Sequence, residues 1–210
     1  MKKLMSYIDR FCYKHPRFGI PNLMMLIVIG NGAVWLLSAM DATGLLQYNL
    51  AFSATAILRG EIWRLVTFIL VPQGGGFLFL LMLYFYYFIG STLEREWGTG
   101  RFTIYYLSGM LLTIIYGFVV YFITRQSSAI TAAYINLSMF FAFATLFPET
   151  QVLLFFVIPI KIKWLAIIDA AYFAYEIFVR LGNNYGLISF LPLVAVLNYF
   201  IFCGDWLFDL

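Results

Sequence analysis

Runs of apolar residues, separated by short charged turns, constrain this chain more than any other feature. A helix needs ~20 mostly apolar residues to cross the hydrocarbon core of a bilayer. Six segments reach or approach that length: 22–40, 75–92, 102–123, 130–147, 164–180 and 187–204. The second and fourth are short and carry polar or small residues, which predicts shielding by neighbouring helices. Composition agrees, with 63% of the 210 residues hydrophobic and 11% charged. Soluble domains run nearer ~45–50% apolar and ~25% charged. The chain therefore reads as an all-α, polytopic membrane protein with a single membrane domain over 20–210. No linker, low-complexity tract or internal repeat argues for a second domain.

Residues 1–19 form a basic tail on the cytoplasmic side. Lys2, Lys3, Arg10, Lys14 and Arg17 are interleaved with Leu4, Ile8, Phe11 and Cys12 on one helical face, with Met5 beside it. That pattern predicts an interfacial helix on an anionic leaflet, serving either as a topology signal or as a lipid anchor. It is not a cleavable signal, because the first apolar run starts only at Pro21 and more apolar runs follow it. With six spans and the start inside, nine Lys or Arg fall in inside segments and four outside. This bias puts both termini in the cytoplasm. Trp97 and Trp164 sit near span ends, as interfacial aromatics do. The short tail, with no appended soluble module, predicts a bacterial plasma membrane. Cys12 and Cys203 both fall near the cytoplasmic side, where no structural disulfide is expected. They and the single distant His have no metal-ligand spacing. No cofactor and no nucleic-acid partner is expected; membrane lipids are.

Residues 41–74 lie outside yet are apolar. They are too short and too interrupted to span, which predicts short helices lying in the outer leaflet. Trp63 would anchor at headgroup depth, and Arg64 would reach water, phosphate or a backbone carbonyl. Here Glu61-Ile-Trp63-Arg64-Leu-Val-Thr67 resembles the W-R-x-x-T loop motif of rhomboid intramembrane proteases. Gly90-Ser-Thr-Leu-Glu94-Arg-Glu-Trp-Gly98 resembles that family's G-x-x-x-E-x-x-x-G turn between its second and third core helices. Tyr105-Tyr-Leu-Ser-Gly109, Leu146-Phe-Pro148 and the segment Val152–Trp164 follow in the family's order. The similarity covers roughly 20–205. It implies a six-transmembrane-helix rhomboid-like bundle with a membrane-embedded first loop.

The resemblance also implies where a Ser-His dyad would lie, and its residues are absent. The family's G-x-S-G serine falls on Ala133, followed by Tyr134. Its oxyanion partners on the second helix fall on Leu78 and Met82. Its histidine belongs in 187–204, which has none. A serine nucleophile needs an adjacent group to take its proton. His15, in the tail, is most of a membrane thickness away, and no transmembrane lysine offers a substitute. Ser138, about a turn and a half deeper than Ala133, is expected to bond back to its own helix. Asn198 is expected to bond across to Asn136 or Ser138, filling the place of the dyad.

Asp169 and Glu176 lie seven residues apart on one face of the fifth span. Ionisable groups at that depth face the interior or water. They are either a functional polar site or structural, with Asp169 near Lys161 or Lys163 and Glu176 near Arg180. Ala166, Ala170 and Ala174 form a small-x-x-x-small ridge for close helix packing, against another span or a client helix. The leading expectation is a pseudoprotease that binds transmembrane segments of client proteins without cleaving them, and hence not an enzyme. A divergent intramembrane serine protease is the alternative. A small transporter or lipid-handling protein is the third, although Pro159 and Pro192 make no pair of broken helices in two repeats. Oligomeric state is left open.

Overall fold

The computed structural model describes residues 2–41, 43–126, 130–154, 158–182 and 190–207. The side chains of 2–5 and of Arg180, and the first residues of the expected sixth span, fall outside that description. The expectations for Leu4, Met5 and Arg180 rest there too.

Helix α1 (Lys2–Lys14) precedes α2 (Leu23–Met40). Three short helices follow, α3 (Leu45–Leu50), α4 (Ala54–Leu58) and α5 (Arg64–Thr67), the last continued by a 3-10 turn at Phe68–Leu70. The long helices α6 (Phe77–Trp97) and α7 (Thr99–Thr124) form an antiparallel pair. Then come α8 (Ala133–Leu146), α9 (Ile162–Gly182) and α10 (Leu191–Leu207). Each of the six segments expected to be helical thus contains a long helix. Among the described residues, three helices are long and apolar enough to cross a membrane: α2, α6 and α7. Helix α8, at 14 residues, is about 21 Å long at 1.5 Å per residue.

The bundle departs from an all-α fold between α8 and α9. Strands β1 (Gln151–Leu154) and β2 (Ile158–Lys161) form an antiparallel hairpin, with Val152 opposite Ile160 and Leu153 opposite Pro159. The cause is local: β-branched Val152, Ile158 and Ile160 favour extended backbone. Pro159 ends any helical reading and is tolerated because a two-stranded ribbon consists only of edges.

Helix α8 is the hub, touching α6, α7, α9 and α10. Its buried residues, including Ile135, Ser138, Phe140 and Phe143, cover most of its circumference, and the remaining stripe of Tyr134, Leu137, Phe141 and Thr145 is half-buried. That is the pattern of a helix enclosed by others, which needs no polar face. The α6–α7 corner is set by two residues of the quoted turn motif. Gly98 has φ +82, a backbone that favours glycine, and it ends α6 and starts α7 at once. The Glu94 carboxylate accepts from the Asn22 N–H at 3.0 Å and from the Thr99 hydroxyl at 3.0 Å. One side chain thereby ties together the start of α2, the end of α6 and the start of α7. One turn earlier, a Cβ on Gly90 would stand 2.4 Å from Met24 Cγ, so α2 and α6 cross at the distance that only glycine permits.

The segment 41–74 folds as expected into short helices, and Arg64 holds them. Its side chain is 2% exposed. Its Nε donates to Glu61 at 2.6 Å, and a second nitrogen donates to the carbonyls of Tyr48 and, at 2.9 Å, Ala51. Of the three partners expected for Arg64, backbone carbonyl is the one found. Thr67 donates to the Leu50 carbonyl at 2.9 Å, and the half-exposed Trp63 indole to that of Asn49 at 3.4 Å. Phe52 then enters the bundle between Phe68 and Phe118, at ring separations of 6.3 and 5.7 Å.

Candidate functional site

Where α7, α8 and α10 converge, four polar side chains meet. Tyr105, Ser138 and Asn198 are at most 1% exposed, and Ser108 is partly buried. On α7, Tyr105 and Ser108 are three residues apart and share a face, with Gly109 beside them. A Cβ on Gly109 would stand 3.0 Å from Asn198 Nδ2, so the glycine lets the amide of α10 reach α7.

The hydrogen bonds close on themselves. The Tyr105 hydroxyl bonds Ser138 Oγ at 2.5 Å. Asn198 Nδ2 donates to Ser138 Oγ and to the Tyr105 carbonyl, each at 3.3 Å. Asn198 Oδ1 accepts from Ser108 Oγ at 2.8 Å. Tyr105 is fixed laterally by Trp97 and Phe202, whose rings stand edge-on at 5.2 and 5.0 Å. The members are three hydroxyls and one amide, each satisfied by the others. None of them is a base that takes a proton near neutral pH. The crevice beside them, lined by Gly109, Thr113, Tyr134, Ile135, Ser138, Val194, Ala195 and Asn198, is too narrow for a water molecule.

Of the two partners expected for Asn198, Ser138 is the one it meets. Ser138 is turned toward neighbouring helices, not back onto its own. Asn136 is 5% exposed and meets Tyr86 of α6, while its Oδ1 stays unpartnered. Ala133 is the half-buried first residue of α8. Leu78 is 66% exposed on the first turn of α6, and Met82, half-buried, lies one turn on. Leu78 thus faces out of the bundle. Asp169 and Glu176 are both half-buried on α9. The two lysines near which Asp169 was expected in its structural reading, Lys161 and Lys163, are engaged by another carboxylate. Both ammonium groups bind Glu149 at 2.5 Å, because that carboxylate sits directly beside the hairpin they flank. This double clamp holds the Glu149 carboxyl at about 2, far below the usual carboxylate range. Ala170 and Ala174 of the small-residue ridge are exposed, whereas Ala166 packs against the core. His15 is exposed beside Phe11.

Sequence reasoning singled out Ser138 and Asn198 for the site and quoted Tyr105 and Ser108 only as part of a family motif. Their spacing beside Gly109 was the available signal, since two hydroxyls flanking a small residue on one helix face mark a polar helix contact.

A family model described as "Eukaryotic integral membrane protein (DUF1751)" matches residues 22–202. No curated protein matches the chain. The match overturns the expected bacterial plasma membrane: a short tail without a soluble module does not distinguish bacterial from eukaryotic membrane proteins. The membrane location itself fits.

Proposed function

The chain belongs to this family of eukaryotic integral membrane proteins, and from that premise we propose that it is a rhomboid-like, non-proteolytic scaffold for transmembrane segments. In this reading α2, α6, α7, α8, α9 and α10 all cross the bilayer, the short α8 doing so inside a jacket of neighbours. The segment 41–74 lies within the outer leaflet. The observation that carries the reading is the closed network of Tyr105, Ser108, Ser138 and Asn198. Peptide hydrolysis would need a serine with an adjacent base, a water and donors for the oxyanion. Among the described residues, Ser138 is the serine nearest in sequence to the expected nucleophile position; it bonds a phenol and an amide, and the crevice beside it is too narrow for a water. Ala133 and Leu78 supply no polar atom where the resemblance would place nucleophile and oxyanion donor. What is retained is the scaffold: the Glu94 corner, the Arg64-held loop and the close α2–α6 crossing. Such a scaffold suits recognition of apolar helices along the exposed flank of α9, where Ala170 and Ala174 are uncovered.

The test uses purified full-length protein in liposomes, a generic rhomboid transmembrane substrate and a fluorophosphonate probe, with an active rhomboid as control. Neither cleavage nor labelling is expected. Photo-crosslinking from Ala170 is then expected to capture transmembrane helices. Labelling that Ser138→Ala abolishes would overturn the reading in favour of a divergent serine protease.

A further inference from the structure

The segment joining α1 to α2 is a folded surface, not a loose basic tail. The His15 N–H donates to the Phe11 carbonyl at 3.0 Å, and the Phe18 N–H to the His15 carbonyl at 2.9 Å. Gly19, at φ +115, lies directly on the start of α7, where an added Cβ would stand 2.9 Å from the Thr99 carbonyl oxygen. Arg101 draws Asp9 to the same helix end at 3.6 Å. The result is an open depression lined by Phe11, Lys14, His15, Pro16, Arg17 and Phe18. Its floor is apolar: the Phe11 and Phe18 rings meet edge-to-face at 5.0 Å and remain 42% and 39% exposed. Its rim carries two cationic side chains and an imidazole, with no carboxylate. The nearest acid along α1, Asp9, faces Arg101 instead. The depression ends five residues before α2 begins at Leu23, and it sits beside the first turn of α7. Both are candidate membrane spans, so it stands at the depth where headgroups meet hydrocarbon.

We propose that this depression binds the headgroup of an anionic glycerophospholipid. Lys14, His15 and Arg17 surround its phosphate, and the Phe11 and Phe18 rings lie against its glycerol and first acyl carbons. A freely diffusing phosphate would use the rim and leave the aromatic floor uncovered. A lipid uses both, and its acyl chains continue along α2 into the bilayer.

The measurement is titration of the full chain in neutral detergent with dioctanoyl phosphatidylserine, read by native mass spectrometry. Saturable one-to-one binding is expected, with dioctanoyl phosphatidylcholine binding far more weakly. The double variant Lys14→Ala, Arg17→Ala is expected to lose about 30-fold in affinity, taking roughly 1 kcal/mol for each cation near the headgroup. Phe11→Ala is expected to weaken binding as well, and Arg59→Ala, at the opposite end of the bundle, to leave it unchanged. Equal binding of the two lipids, measured on the unaltered chain, would overturn the proposal. So would unchanged affinity in the double variant, or an equal loss with Arg59→Ala. Displacement of the lipid by millimolar inorganic phosphate would reassign the depression to a soluble anion.

Discussion

A single arginine organises the longest connection in this chain, and its energetics differ in kind from those of a surface ion pair. Arg64 gives its donors to one carboxylate and two backbone carbonyls while 2% exposed. Truncation leaves the buried Ala51 carbonyl contact without its donor while Glu61, 34% exposed, regains water, a loss of several bonds to one charged group at about 1.5–3 kcal/mol each. Arg64→Ala should therefore lower the thermal unfolding midpoint in detergent sharply. Thr67→Val, which removes one hydroxyl-to-carbonyl bond, should cost only about 1 kcal/mol. Similar midpoints for the two variants would deny Arg64 its organising role. Glu149 shows the opposite regime, since it is solvent-exposed between two lysines. Its folded value, about 2, lies below its ordinary 4.5. A depressed carboxylate stabilises the folded state above its unfolded value. The hairpin clamp is accordingly complete above about pH 4.5 and is lost as the pH falls from there through about 2. A carboxyl-carbon NMR titration of Glu149 should show the depressed midpoint, moving back toward 4.5 in high salt as screening weakens the clamp. An unshifted midpoint at low salt would mean that the lysines do not hold it.

Between elements, the decisive contacts are places where a glycine admits a neighbour. A Cβ on Gly117 would stand 2.4 Å from Phe52 Cε1 and 2.7 Å from its Cζ. Gly117→Ala should therefore expel the ring that pins the 41–74 segment to α7, at the ~1–3 kcal/mol typical of overpacking. The atoms in conflict are the far end of the phenyl ring, so Phe52→Leu should relieve the clash. In a double-mutant cycle the pair should be more stable than the sum of its single effects by about 1 kcal/mol or more. Strict additivity would show that Phe52 does not occupy that groove. Such contacts also mark the limit of legibility in the sequence. Glu94 and Gly98 could be read in advance because their fixed spacing encodes a corner. The α6–α8 positions could be read as apolar runs. Tyr105 and Ser108 beside Gly109 signal a polar helix contact but not its partner, because a hydroxyl on an apolar helix bonds its own backbone as readily as a neighbour. The hairpin was hidden for a related reason: a run of apolar β-branched residues has no alternation to separate strand from coil. The partner of Lys161 and Lys163 was not legible either, because Glu149 lies 12 and 14 residues from them in sequence and only the hairpin brings it there.

At the scale of the whole molecule, the contacts sort the charges by end. Asp9 meets Arg101 and Asn22 meets Glu94, so α1 and the α6–α7 corner share one end. Phe85 faces Phe140 at 6.0 Å and Phe88 faces Phe143 at 5.7 Å. Helices α6 and α8 therefore run parallel, and the β-hairpin with Lys161 and Lys163 joins that same end. Phe52 pairs with Ile130 and packs on Phe118, which puts the 41–74 segment at the other end with the start of α8. Arg10, Lys14, Arg17, Arg95, Arg101, Lys161 and Lys163 thus lie together. The opposite end has Arg59, Arg125 and Arg64, the last neutralised by Glu61 and buried. A Lys/Arg excess marks the cytoplasmic side, so the hairpin end is expected there and the 41–74 segment across the membrane. The check is cysteine labelling in a Cys12→Ser, Cys203→Ala background, using an impermeant maleimide on sealed membrane vesicles with the cytoplasmic face outward. Arg95→Cys and Gln151→Cys should label at once, whereas Arg59→Cys and Gln126→Cys should label only after detergent dissolves the vesicles. If Arg95→Cys and Gln126→Cys label together, α7 does not cross the membrane and the proposed arrangement of spans fails. If the two sets exchange behaviour, the bundle stands but is inverted, and the anionic-lipid site beside Lys14 would face the leaflet away from the cytoplasm.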